Sequence, residues 1–341
     1  ISLIDLIDTL SRQPMQVHMA LNQLQIADIP VGVLREADAE GNLHAKLDFE
    51  GTLLTPSVAL DLGLDDFGWN QYRDIFVDVV AALDGGMLKL DQMRFEWDAH
   101  EILVAYGQIP VPLKAIVEGQ SLQNLPLNFT FDLKPTSLSK LGAVNYAFNR
   151  FQGTFAGYIR ATGTLQSPEF ESRFALNDAL FARNHRGSIG IWLQADHDNA
   201  TGGAMFCQQD TPILTGQFDV PTNLNLVELA AGQRPLADGQ ISASLKGRNV
   251  PVKQLVPTAF VDDYIDDAAG YLNVDLALSG TWEQVEASGQ LELEEGGITL
   301  VEYGRRFRDI NLVSRITDQE VRLETFHMRD SNGTVDASGQ V

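Results

Sequence analysis

Leu43-His44-Ala45-Lys46-Leu47-Asp48-Phe49-Glu50 decides the fold, because every second residue in it is apolar. Strict alternation is the mark of a strand with one dry face and one wet face. Leu272-Asn273-Val274-Asp275-Leu276-Ala277-Leu278-Ser279 repeats the pattern. A third run, Leu291-Glu292-Leu293-Glu294, leads through Gly296-Gly297 to Ile298-Thr299-Leu300 and reads as a hairpin with a glycine turn. Helical periodicity is confined to short patches: residues 1–10, Leu138, Leu141, Phe148 and Phe151 after Pro135 (with Thr136 or Ser137 as N-cap), and residues 251–267. These patches are too short and too few to cover a large sheet.

Self-similarity fixes the organisation. Gly41, Gly153 and Gly270 each open an apolar-alternating strand, and Gly51-Thr52, Gly163-Thr164 and Gly280-Thr281 follow ten positions later. Two copies continue to a proline, Pro56 and Pro168, while the third has Val285 there and leaves its strand pairing open. Gly51 lies 112 residues before Gly163, which lies 117 before Gly280, so each repeat is a module of several strands. A second match, Tyr72-Arg73-Asp74-Ile75 with Phe307-Arg308-Asp309-Ile310, argues against coincidence. The expected organisation is one continuous repetitive fragment, residues 1–341, with modules near 1–130, 131–249 and 250–341.

One-faced strands must bury the dry face against a second sheet, against helices, or against a ligand. Helices are scarce, and no Ser/Pro/Gly-rich linker separates compact sandwiches. The expected fold is therefore all-β: an elongated, curled antiparallel sheet forming a U-shaped groove, with a few short helices. Roughly 25 strands at about 4.8 Å spacing would give a rod on the order of 120 Å. Its lining would exceed the few hundred Å² that a soluble protein leaves bare, and long acyl chains would be the natural occupant. The lining residues expected on this pattern are Leu43, Leu47, Phe49, Val58, Leu60, Leu62, Val274, Leu276, Leu278, Leu291, Leu293, Ile298, Leu300, Val321 and Leu323.

Charge narrows the function further. With 46 acidic against 24 basic residues in 341, the formal charge of −22 repels nucleic-acid phosphates and anionic membranes. No nucleic-acid partner is expected, and a lipid is not expected to be held by a basic patch. The single cysteine, Cys207, permits no internal disulfide and reads as a half-buried filler. No run approaches the ~20 apolar residues that span a bilayer. The start at Ile1 and the stop at Val341 within a strand-like run read as those of an excised fragment.

Apparent sites have plainer readings. Asp196-His197-Asp198-Asn199 has metal-ligand residue types but the composition of a turn. Asp262-Asp263 and Asp266-Asp267 read as a solvated helix face, and Gly187-Ser188-Ile189-Gly190 lacks the nucleophile-elbow pattern. The six histidines are scattered, so no catalytic residue, metal or cofactor is expected. A surface solenoid would show shorter repeats, and a carbohydrate-active enzyme would show aromatic platforms and paired carboxylates.

The stretch from Gly270-Tyr271-Leu272 through Gly280-Thr281, Gly289-Gln290-Leu291, Phe307-Arg308-Asp309-Ile310 and Gly333-Thr334 to Gly339 resembles the TamB family, among the AsmA-like, bridge-like lipid-transfer proteins. GTLLTPSV (51–58) and GTLQSPEF (163–170) resemble that family's Gly-Thr-Leu-x-x-Pro strand pair, and Leu3-Ile4-Asp5-Leu6-Ile7 with Gln13-Pro14 resembles another recurring segment. The resemblance implies a β-taco fold in the periplasm, tethered to the inner membrane by an N-terminal segment outside this chain. It also implies an outer-membrane β-barrel partner of the TamA type, contacted beyond this fragment, and phospholipid movement between the two membranes. The alternative it leaves is a structural or chaperone-like envelope repeat protein that assists outer-membrane protein assembly.

Overall fold

The computed structural model describes residues 13–29, 38–69, 72–111, 113–118, 121–141, 152–181, 185–255, 265–301, 304–318 and 320–341. The fold is all-β, and the described residues form eighteen strands in one antiparallel sheet that does not close into a barrel. The strands are β1 (Met15–Gln25), β2 (Glu40–Gly51), β3 (Pro56–Trp69), β4 (Tyr72–Asp84), β5 (Met87–Trp97), β6 (His100–Pro110), β7 (Asn128–Ser137), β8 (Thr154–Gly163) and β9 (Pro168–Phe181). They continue as β10 (His185–Ala195), β11 (Asn199–Gln208), β12 (Thr211–Pro221), β13 (Ile241–Pro251), β14 (Ile265–Gly280), β15 (Val285–Leu300), β16 (Arg305–Thr317), β17 (Glu320–Arg329) and β18 (Thr334–Gln340). Eighteen strands among the described residues stand against the roughly 25 expected, and β14 and β15 run to 16 residues each.

Two compact units are formed. One takes residues up to Lys134 with Gly157–Phe170 and Leu224–Gln233; the other takes Pro135–Ala156, Glu171–Asn223 and Arg234–Val341. In the first, β1 to β6 pair as a sequential meander; in the second, β10 to β18 do the same. Such local pairing needs only short turns.

The three Gly-Thr repeats build the same loop. Gly51, Gly163 and Gly280 end β2, β8 and β14 at φ +100°, +90° and +115°. In each, the threonine hydroxyl accepts the backbone N–H three residues on: Thr52 from Thr55 (3.0 Å), Thr164 from Ser167 (3.1 Å) and Thr281 from Gln284 (3.2 Å). Gly280 pairs with Val285 just as Gly51 pairs with Pro56, so Val285 preserves the strand pairing that the missing proline left open.

A second repeated device is a bulge that the sequence did not announce. Asp66, Asp178 and Glu295, each fifteen residues after the Gly of Gly-Thr, adopt left-handed φ of 50°, 52° and 51°. Each lies across from the module's first glycine, where a Cβ would meet backbone: Asp65 O at 3.0 Å from Gly41, Asn177 O at 2.9 Å from Gly153, Glu294 O at 2.8 Å from Gly270. In the second unit, register breaks recur in β13 to β16 around Asn249, Gly270, Glu295 and Asp309. Side-chain amides hold this line: Asn249 N–H donates to Asn273 (2.8 Å) and Glu295 N–H to Asn311 (3.1 Å). Aligned bulges bend strands and increase their twist.

Two sequence expectations are corrected here. Gly296-Gly297 is no hairpin turn, because β15 runs unbroken through it and the glycines belong to the Glu295 bulge. Within 251–267, Val252–Leu255 is helical, residues 256–264 lie outside the described residues, and Ile265–Asp267 belong to β14, where pairing with β15 outweighs local helical spacing. After β7, which continues through Pro135 to Ser137, Leu138–Leu141 is helical. The candidate helix at 1–10, residues 142–151, and Asp262-Asp263 lie outside the described residues.

Buried apolar side chains are dispersed along the described strands and their flanks. Val250, with no exposed surface, and the pair Ala179–Phe206, packed with Leu176, Ile189, Ile213, Leu214 and Leu255, are among the few enclosed apolar groups described. Val250→Ala should destabilise the second unit by about 1–3 kcal/mol, read from urea unfolding, because its methyls have no solvent alternative.

Candidate functional site: one apolar face of the sheet

Cross-strand partners in an antiparallel sheet share a face. In the first unit this rule joins Met19, Leu47, Leu60, Ala81, Leu90 and Gly107 into one row, one residue from each of six strands. Parallel rows run Val17–Phe49–Val58–Leu83–Leu88–Ile109 and Leu21–Ala45–Leu62–Val79–Met93–Ala105 on the same face. The second unit holds equivalent rows: Ile191–Ala204–Gly216–Leu245–Leu276–Gly289–Ile316–Val321 and Phe206–Leu214–Gly247–Val274–Leu291–Ser314–Leu323.

Every lining residue expected from the alternation lies on such a face. Leu43, Leu47, Phe49, Val58, Leu60 and Leu62 share that of the first unit. Val274, Leu276, Leu278, Leu291, Leu293, Val321 and Leu323 share that of the second. Ile298 and Leu300 join them only because the Glu295 bulge inserts one residue after Leu293 and returns the alternation to the same side. The glycine-turn reading had no account of this. The pattern also extends to residues that sequence reading left out, including Val79, Met93, Phe95 and Leu245; their own alternation, as in Met93-Arg94-Phe95, was the signal available.

The face is not packed solid. Of those fifteen residues only Val274 is buried; Leu278 is 43% exposed and Val321 49% exposed. Met19 at 59% and Val17 at 42% show the same at β1. Among the described residues, Leu255 packs against the Ala179–Phe206 pair, whereas an open depression of about 290 Å³ lies among Leu245, Leu276, Leu278, Ala287 and Ile316.

The opposite face carries the charges. Arg94 meets Glu96 at 3.1 Å and lies over the Phe76 ring, Lys134 meets Asp132 at 2.6 Å, and Arg315 meets Glu324 at 3.4 Å. His18 bonds Asp48 across β1 and β2 and holds that carboxyl below its ordinary value. The sign follows: this contribution is present above the unfolded carboxylate pKa and is lost as pH falls through the depressed folded value.

The remaining candidates resolve into structure. Asp196 Oδ1 accepts the N–H groups of Asp198 and Asn199, both at 2.9 Å, making the β10–β11 turn. Cys207 is half-buried, and burial, with the Asp210 charge, pushes its thiol pKa up. Ser188 pairs with Cys207 within the sheet.

In each unit, then, the open antiparallel sheet presents one polar side and one apolar side. The chain matches no protein-family model, no curated protein and no solved structure.

Proposed function

We propose that this chain is a lipid-binding conduit, a segment of a TamB-like bridge protein that carries phospholipids between membranes, their acyl chains lying on the apolar face. The observation that supports it is the run of apolar rows through consecutive strands, left half-exposed by the chain's own side chains. Burying such area in contact with acyl chains yields about 25 cal/mol per Å², so a few hundred Å² suffices to hold a lipid. The strand geometry suits this role because period-two alternation places the charges of runs such as 43–50 on the other side.

The reading carries with it a periplasmic location, an inner-membrane tether outside this chain, an outer-membrane β-barrel partner of the TamA type, and a non-enzymatic role in outer-membrane biogenesis. Purification in a non-lipidic detergent, followed by native mass spectrometry and lipid extraction, tests it. At least one phospholipid per chain is expected; lipid-free protein that also fails to take up added phospholipid would sink the proposal.

A further inference from the structure

Arg306, Arg308 and Arg329 share the polar face at one end of β16 and β17. Arg306 pairs with Thr299, one residue along from the apolar pair Ile298–Phe307, and Arg308 stands directly opposite Arg329. Register partners, and residues two apart on a strand, lie within about 7 Å of one another at the backbone, so the three guanidinium groups can reach one ligand on this face. All three side chains are exposed, and none has an ion-pair or hydrogen-bond partner among the described residues. Like charges so placed repel. Elsewhere on the polar faces of this chain of charge −22, Arg94, Lys134 and Arg315 all meet acids.

The first copy of the repeat shows what fills this place. Arg73, in Tyr72-Arg73-Asp74-Ile75, packs beside Gly68 and bonds Glu40 at 2.7 Å, with Asp38 at 3.5 Å. Arg308 is its counterpart in Phe307-Arg308-Asp309-Ile310. Glu40 pairs with Gly68 as Ala269 pairs with Gly297, so Ala269 stands where the first copy carries the carboxylate. Phe95 faces Val77 as Phe326 faces Leu312, and three residues on from these phenylalanines the first copy has Asp98 and the later copy Arg329. One acid is lost, and another is reversed in sign, around an arginine that both copies keep. Nearby carboxylates do not make up the difference. Asp267, which corresponds to Asp38, lies two strands from Arg306 and makes no ion pair with it. Asp330 Oδ1 accepts the N–H groups of Asn332 (2.7 Å) and Gly333 (2.9 Å), and Asp336 bonds His327.

We propose that Arg306, Arg308 and Arg329 dock an acidic segment of a partner protein, its carboxylates spaced two residues apart as in Asp38-Ala39-Glu40. Charge complementarity selects this partner: a guanidinium fork matches a carboxylate, and a carboxylate set there relieves the Arg308–Arg329 repulsion. The spacing comes from the first copy, where one short stretch of chain brings both acids to one arginine. The overall charge of −22 repels an acidic partner from the rest of the surface and so orients it on this patch. The site lies on the face opposite the apolar rows and holds whether or not lipid occupies them.

Fluorescence anisotropy of a rhodamine-labelled, end-capped peptide with the sequence of residues 37–42, titrated with the intact chain at low salt, tests the site. Saturable binding that weakens with added salt is expected, and the same peptide with asparagine and glutamine in place of its two acids should not bind. Arg308→Gln/Arg329→Gln should weaken binding by about tenfold and Arg306→Gln by about threefold, the loss of exposed charge-assisted bonds. Arg315→Gln, whose side chain already meets Glu324, should leave it unchanged. The melting temperature of the double variant should equal or exceed that of the unchanged chain, because a repulsive pair is removed; a marked fall would make the arginines structural and overturn the site. Absence of saturable binding, or equal binding by the double variant, overturns it as well. Three outcomes without peptide binding reassign the patch and reject the protein partner. Arginine-dependent retention on phosphatidylglycerol but not phosphatidylcholine vesicles assigns it to a membrane surface. Inorganic phosphate that stabilises the unchanged chain but not the double variant assigns it to a free anion, and an arginine-dependent dimer in sedimentation velocity assigns it to a second copy of this chain.

Discussion

Leu276→Asp is expected to strip the chain of co-purifying lipid while leaving it folded. Leu276 faces Leu245 and Gly289 in its row and lines the open depression in the second unit, yet it is only half-buried, so the native fold can keep an aspartate there hydrated. A lipid that covers it must dehydrate the carboxylate, which costs several kcal/mol. At about 1.4 kcal/mol per tenfold, recovered phospholipid per chain should drop below about a tenth. Ala277→Asp is the matched control: one residue along, its partners Ser244 and Ser288 place it on the polar face, and its lipid content should not change. Equal lipid in Leu276→Asp and the unaltered chain would mean that acyl chains do not use this face.

Gly280→Val should lower stability by about 2–4 kcal/mol, seen as an earlier urea midpoint for the second unit. The reason is the turn rather than the groove. At φ +115° a branched side chain is strained, and its Cβ would stand 2.2 Å from the Gln284 carbonyl oxygen. Gly51 and Gly163 meet the same obstacle, at 2.5 Å from Thr55 O and 2.4 Å from Ser167 O, so substitutions there should behave alike. Gly333→Ala, with nothing within 4 Å of its Cβ, should change stability by less than about 0.5 kcal/mol. A tolerated valine at Gly280 would show that the loop has a second conformation open to it, and the three repeats would then lose their common physical basis.

The sequence was most legible where structure depends on nearest neighbours. Alternation in 43–50 and 272–279 gave both the strands and their dry sides, because a pleat turns each residue over whatever its partner is. The Gly-Thr repeats marked strand ends, because the glycine's φ, a threonine hydroxyl and a carbonyl four positions after the glycine settle the turn locally. Legibility failed at Gly296-Gly297, where glycine composition alone cannot separate a turn from a bulge; the opposing Gly270 and Ile310 make it a bulge. It failed again at Ile265–Asp267, where helical spacing gave way to pairing with a strand about thirty residues on.

The amino-acid sequence by itself determined that this chain is built of one-faced strands in repeated modules, with charge kept to the wet side. Only the tertiary structure decided that the dry sides join into rows through successive strands and that bulges return Ile298 and Leu300 to those rows. The physical reason is register: which residue stands opposite which is set by the summed pairing of whole strands, and a single inserted residue exchanges the two faces beyond it.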